Sequence, residues 1–355
     1  MILNAILNNP ITYNNYRVIP FRCLLLKAVK EVKLSKYGEQ KIKHTRPSKK
    51  FSPKVVQNIS NPYINKIAIH KFQTGHEVPI FDISDYRALN QLIGYAKFLN
   101  TDYGDVYYRG EVHLHQSLLP SISRKPNSYK YEQELNCAVK NAIRDDRFSR
   151  VAKLSGFKGK QSANLIVEAL LQHYGYSTHF IDLVDNHWIA LWFGLNEFKK
   201  IKNLSEYCYY KKRTINPVEL VTTKDPTASI YQYMLLVAVD NNAAPIERGI
   251  YFGNETITID LRSSLPSIFL RPHAQHGLVV RRNKHDPDTS FDMAQNVVAI
   301  ARLRIDNVIS WVGEGSLLET ANLFPSPAYD YGYEILLQRK DLFENLYNQI
   351  AQYIE

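Results

Sequence analysis

The order in which two periodicities follow one another along the chain is what most restricts its fold. Helical spacing of apolar residues comes early. Residues 83–99 place Leu89, Leu92, Ile93, Ala96 and Leu99 on one face, with Ser84 or Asp85 as cap. Residues 130–150 bring Leu135, Val139 and Ile143 together, and residues 162–173 do the same with Leu165, Ile166, Ala169 and Leu170. Between the first two helices, residues 106–110 read as a short aromatic and β-branched strand. Strand-like segments then dominate, at residues 178–183, 233–239, 256–261, 277–281 and 297–305. An apolar helix over 187–198 interrupts them, and residues 333–354 predict a last amphipathic helix. Helices first and strands later predict an α+β domain, its mixed, mainly antiparallel sheet carrying helices packed around a single cleft.

The charge divides the chain in two. Residues 1–60 hold twelve Lys and Arg against two Glu, which is the whole of the net charge of +10 on 355 residues. The chain therefore reads as a basic N-terminal extension, residues 1–60, followed by a near-neutral domain, residues 61–355. Such an extension suits a solvated arm, or one that touches nucleic acid or an acidic protein. Its aromatic content is too low for a single-strand stacking platform. No apolar run approaches the roughly 18 residues that span a bilayer, and Met1-Ile2-Leu3-Asn4 does not open a secretory signal. Three scattered cysteines, Cys23, Cys137 and Cys208, fit neither a disulfide framework nor a zinc site, and suit a reducing, cytoplasmic setting. A hydrophobic content of 45 % excludes a largely disordered chain.

Three segments carry the chemistry. The first is Tyr107-Tyr108-Arg109-Gly110-Glu111, with Leu118-Leu119-Pro120-Ser121-Ile122-Ser123-Arg124 behind it. The second runs from Leu170-Leu171-Gln172-His173-Tyr174-Gly175 through Tyr176-Ser177-Thr178-His179-Phe180-Ile181-Asp182 to Ala190-Leu191-Trp192-Phe193. The third is Arg271-Pro272-His273-Ala274-Gln275-His276-Gly277-Leu278. In this order and spacing they resemble the FRG-domain family, named for an aromatic-Arg-Gly motif, over about residues 80–335. His179 stands where that family usually has Arg, and Tyr176-Ser177 replaces its usual Leu-Pro. The aromatic-Arg-Gly strand is also similar to the first strand of arginine-class ADP-ribosyltransferases, in which the Arg holds NAD. The resemblance implies a toxic effector of a bacterial anti-phage system that acts on nucleotides by ADP-ribosyl transfer or NAD cleavage. The alternative is a nucleic-acid-binding module or nuclease-associated protein that uses the basic arm.

Each candidate has a physical reason and a plain structural alternative. The Arg109 guanidinium is a planar fork that matches a phosphate, beside Gly110, where backbone can approach a ligand. The alternative pairs Arg109 with the Asp182 carboxylate. His173 suits a general base or a partner for a ribose hydroxyl, and equally a cap on its own helix. Gly175 follows that helix as a left-handed terminator. Thr178 and Asp182 alternate with Phe180 at even spacing, and Asp182 reads as inward. The expected catalytic set is Arg109, His173, Asp182 and Gln275, and the expected nucleotide-binding set is Arg109, Gly110, Thr178 and His276. Gln275 is neutral and cannot supply the carboxylate that a developing oxocarbenium ion needs, so Asp182, Glu111 or Glu134 takes that role. His113-x-His115 and His273-x-x-His276 have the spacing of metal ligands without a cysteine or acidic partner, so no metal is expected.

Overall fold

Strand geometry organises the domain. The computed structural model describes residues 52–201, 204–215, 229–242, 244–283, 292–313, 315–339 and 352–353, and residues 1–51 lie outside them. The strands are β1 (Ile64–Lys71), β2 (Glu77–Ile83), β3 (Asp105–Glu111), β4 (Ile181–Val184), β5 (Asn196–Ile201), β6 (Leu204–Lys212), β7 (Tyr231–Val239), β8 (Ile250–Phe252), β9 (Thr256–Asp260), β10 (Gly277–Arg282), β11 (Val297–Arg304) and β12 (Gln352–Tyr353). Helices of eight residues or more are α1 (Tyr86–Asn100), α2 (Ser128–Arg144), α3 (Lys160–His173), α4 (His187–Leu195), α5 (Ile305–Val312) and α6 (Tyr331–Gln338). Among the described residues nine strands form one sheet in the order β1-β2-β11-β7-β3-β4-β10-β9-β8. Every pairing in it is antiparallel except β2 with β11. The domain is α+β with a mixed, mainly antiparallel sheet.

The central strand β7 explains the layering. Met234, Leu236 and Ala238 enter one apolar cluster, and Leu235, Val237 and Val239 enter another. Both faces of the strand are therefore buried, as the period of two requires when a sheet is covered twice. Helices α1, α4 and α5 cover β2, β11, β7 and β3 on one face. Helices α2 and α3 cover β9 and β10 on the same face, further along the sheet. Between these two groups β3 and β4 pair at a single position, Tyr108 with Val184. The split beyond that pair is where the cavity lies.

The elements depart from the sequence pattern in places. The helix expected over 130–150 breaks at Asp145, whose carboxylate accepts from Phe148 N (2.6 Å) and starts a new turn, Asp146–Val151. The apolar helix stops at Leu195 rather than 198, where the Asn196 amide donates to Trp192 O (2.7 Å) and the chain turns extended into β5. The expected strand from 178 begins only at Ile181, because the Thr178 backbone is taken by Ser121 Oγ and Ile122 N. Of the last expected helix, Tyr331–Gln338 is helical and residues 340–351 lie outside the described residues, while its end is corrected: Gln352–Tyr353 is a strand paired in parallel with β6. Short of residue 60 the chain already packs on the domain: Val56 is fully buried, and the Asn100 side chain clasps both backbone groups of Lys54. No helix among the described residues is long and apolar enough to cross a membrane.

Candidate functional site

The site begins with two glycines. At Gly110 a Cβ would lie 1.8 Å from Ala190 O, so only glycine lets α4 lie directly on β3. The space that Gly110 leaves is filled by a helix backbone. At Gly277 a Cβ would lie 2.4 Å from His173 Cε1, so the bare start of β10 makes room for the Cε1–Nε2 edge of that imidazole. Helix α3 ends at His173 in a Schellman motif: Gly175 N donates to Gln172 O (3.0 Å) and Tyr176 N to Leu171 O (3.1 Å), with Gly175 at φ +102°. That ending turns the chain back, so the residues leading to β4 lie beside the helix end.

The returning chain forms one connected polar unit. Thr178 Oγ1 donates to Gln172 Oε1 (2.5 Å), and Gln172 Nε2 donates to Asp182 Oδ2 (2.7 Å). His173 Nδ1 lies 3.4 Å from Asp182 Oδ1, and among the described residues neither ring nitrogen of this buried histidine finds a well-formed hydrogen bond. The imidazole therefore caps no carbonyl of its helix. Burial would raise the Asp182 carboxyl, but the His173 ring, the Gln172 amide and the Arg109 charge together hold it below its ordinary value. Its side chain keeps 42 % of its surface open, toward the cavity it lines.

Arg109 is engaged differently from the sequence expectation. Its Nε donates to Glu111 Oε1 (2.5 Å) and its Nη1 to the Asp182 main-chain carbonyl (2.9 Å), not to the Asp182 carboxylate. It bridges the split between β3 and β4 by giving a partner to a carbonyl that lies beyond the single strand pair. Burial opposes its charge, but Glu111 and Asp182 more than offset this and raise its pKa.

The cavity measures about 370 Å³. Arg109, Arg124, Gln172, His173, Asp182 and Gln275 supply its polar wall, with Gly110, Ser121 and Ser177. Phe193, Phe198, Tyr210 and Phe324 supply its aromatic lining, with Tyr210 and Phe324 stacked at 4.9 Å and 25°. Of the expected residues, Arg109, Gly110, His173, Asp182 and Gln275 meet here. Gln275 spends its amide N–H on Leu323 O (2.7 Å). Thr178 is fully buried one layer behind, where it orients Gln172. His276 lies off the wall at φ +50°, its Nδ1 3.1 Å from Asp185 Oδ1 and 3.2 Å from Arg262 Nη1. Glu134 sits near Lys130 on α2, away from the cavity. Gln172 and Arg124 stood within the motifs without a role assigned. Of the aromatic wall only Phe193 lay within a motif; Tyr210 and Phe324 reach it from a distant strand and loop.

His179 stays outside the cavity as well. Its backbone N–H and Nδ1 both meet Glu168 Oε1 (3.0 and 2.9 Å), and its Nε2 lies 3.4 Å from Glu132 Oε1. The exchange of Arg for His thus alters a buried ion-pair network rather than a cavity wall. Among the described residues no three His, Cys, Asp or Glu side chains converge on a metal position.

Residues 104–203 match the family model for the FRG domain. The match runs from β3 through α4 into β5 and contains the first two motifs; the third, Arg271–Leu278, lies beyond it. No curated protein and no solved structure matches the chain. The aromatic-Arg-Gly strand and the Gln-His helix end, which meet at one split in the sheet, both fall within this segment, so residues 104–203 carry the FRG domain.

Proposed function

We propose that the cavity binds a nucleotide and that the protein breaks the nicotinamide–ribose bond of NAD, passing the ADP-ribosyl group to water or to an acceptor. The observation that carries this reading is the meeting in one cavity of two arginines, a carboxylate–histidine pair and an aromatic wall. Arginines suit phosphate, aromatic faces suit a planar base, and a carboxylate beside them suits ribose.

The chemistry follows from the charges. As the C1′–N bond breaks, its electron pair leaves with nicotinamide and positive charge grows on the ribose. The Asp182 carboxylate, held ionised and fixed by Gln172, is the anion placed to stabilise that charge. Gln275 is neutral and Glu111 is bound to Arg109, so neither supplies the same field. A water or acceptor hydroxyl then bonds to C1′, and His173, whose ring nitrogens make no other hydrogen bond, takes its proton and returns it to solvent.

Released nicotinamide, followed chromatographically with purified protein and NAD, tests this. Asp182→Asn is expected to lower release by roughly 10²–10³, and induced expression of the wild type, but not of the variant, is expected to arrest bacterial growth. Neither release nor transfer by a folded wild type sinks the reading. Residues 1–60 carry the net charge of the chain and remain the candidate contact with nucleic acid or an acidic partner. Removing residues 1–50 spares the buried Val56 and is expected to abolish salt-sensitive binding while leaving nicotinamide release unchanged.

A further inference from the structure

We infer that Arg124, rather than Arg109, is the residue that holds phosphate in this cavity, so that the substrate is a nucleotide presenting its phosphate at the Arg124 side of the mouth. The inference rests on the nucleotide reading above and assigns its phosphate subsite.

The two arginines line the same cavity in opposite states. Arg109 has one side of its fork on Glu111 and Nη1 on the Asp182 carbonyl. Its charge is already matched by a carboxylate, and its position is part of how β3 and β4 are held at the split. Among the described residues Arg124 has no side-chain hydrogen-bond partner and no carboxylate within 4 Å, and it lines the cavity. Burial and the neighbouring Arg109 charge disfavour its cation and outweigh the opposing field of Glu111 and Asp182, neither of which is in contact with it. A cation on a cavity wall beside a like charge, with no anion in contact, is what a protein leaves for a ligand to complete. All five of its N–H donors remain for that ligand, enough for bidentate phosphate binding.

Its backbone is also placed for the task. Arg124 ends the short turn Ile122–Arg124. That turn is tied to the returning chain, because Ile122 N donates to Thr178 O (3.2 Å) and Thr178 N donates to Ser121 Oγ (3.0 Å). The same Thr178 orients Gln172, and through it Asp182. One buried residue therefore fixes both the arginine and the carboxylate, which sets the distance between phosphate and ribose subsites.

The test compares nucleosides with their monophosphates: adenosine against AMP, and nicotinamide riboside against nicotinamide mononucleotide, by calorimetric titration of the full chain. In the wild type the phosphate is expected to tighten binding about tenfold or more. Arg124→Gln is expected to erase that gain while leaving nucleoside binding unchanged, and Arg124→Lys to keep part of it. Arg109→Gln is expected to weaken nucleoside and nucleotide together, because it loosens the split. Thermal melts of each variant confirm that it is folded, which an exposed position such as Arg124 allows. A phosphate gain that survives in folded Arg124→Gln overturns the inference and leaves the nucleotide reading standing. Failure of the wild type to bind any of the four probes overturns the nucleotide reading itself, and the inference with it.

Discussion

Gly110 and Gly277 show how the absence of a side chain becomes a functional constraint. At Gly110 the atom that a Cβ would strike is a helix carbonyl, Ala190 O, which cannot rotate away. At Gly277 it is the edge of the His173 ring, which can move but only out of its place beside Asp182. Gly110→Ala is therefore expected to cost about 3 kcal/mol or more in urea unfolding, and Gly277→Ala about 1–2 kcal/mol. The second substitution is expected to do disproportionate harm to nicotinamide release, since it displaces the imidazole. Equal stability losses for the two would contradict this account. Individual residue types were legible in the sequence: the arginine, histidine and carboxylate of the motifs do converge. Their partners were less so. Arg109 binds the carbonyl rather than the carboxylate of Asp182 because β3 and β4 part after one pair, and nothing in either strand's own pattern announces where two strands separate.

Elements with a strong period were read well, and those whose burial breaks the period were not. Asp85 caps α1, and the buried Ala88, Leu89, Leu92, Ile93 and Ala96 form its inner stripe. Strand β1 is the opposite case. It buries Ile64 and exposes Ile67 and Ile69, so no alternation marks it. Strand β5 follows α4 directly at Asn196 with no Gly or Pro to signal the change. The break at Asp145 was equally hidden, because the apolar spacing continues across it. Its cause is the carboxylate itself, which caps the next turn through Phe148 N and pairs with Arg339 Nη2 (2.5 Å). Asp145→Ala is expected to lower unfolding free energy by roughly 1–2 kcal/mol, whereas Asp145→Asn keeps the cap and costs less. Equal losses from both would place the contribution in the charge pair instead.

At the scale of the whole molecule, one buried network joins several layers and makes stability depend on pH in both directions. Glu168 on α3 accepts from His179 and from Arg281 on β10, and Glu132 on α2 faces the other side of the imidazole. Burial would lower the His179 pKa, but Glu168 and Glu132 raise it above the ordinary histidine value of 6.5. A group with a raised folded pKa contributes fully below its unfolded value and loses that contribution as pH climbs through the folded one. For Glu168 burial raises the carboxyl, and His179 and Arg281 more than reverse this, leaving it below its ordinary 4.5. Its contribution is complete above 4.5 and fades as pH falls through the depressed value, and Asp182 behaves likewise. The melting temperature is therefore expected to fall on the alkaline side of 6.5 and again in acid, with a plateau between. His179→Gln is expected to lower the plateau and flatten the alkaline limb, while the acid limb, which belongs to Glu168 and Asp182, persists. An alkaline limb of the same slope in wild type and variant would show that some other group drives it, and would remove His179 from the account of how the layers are held.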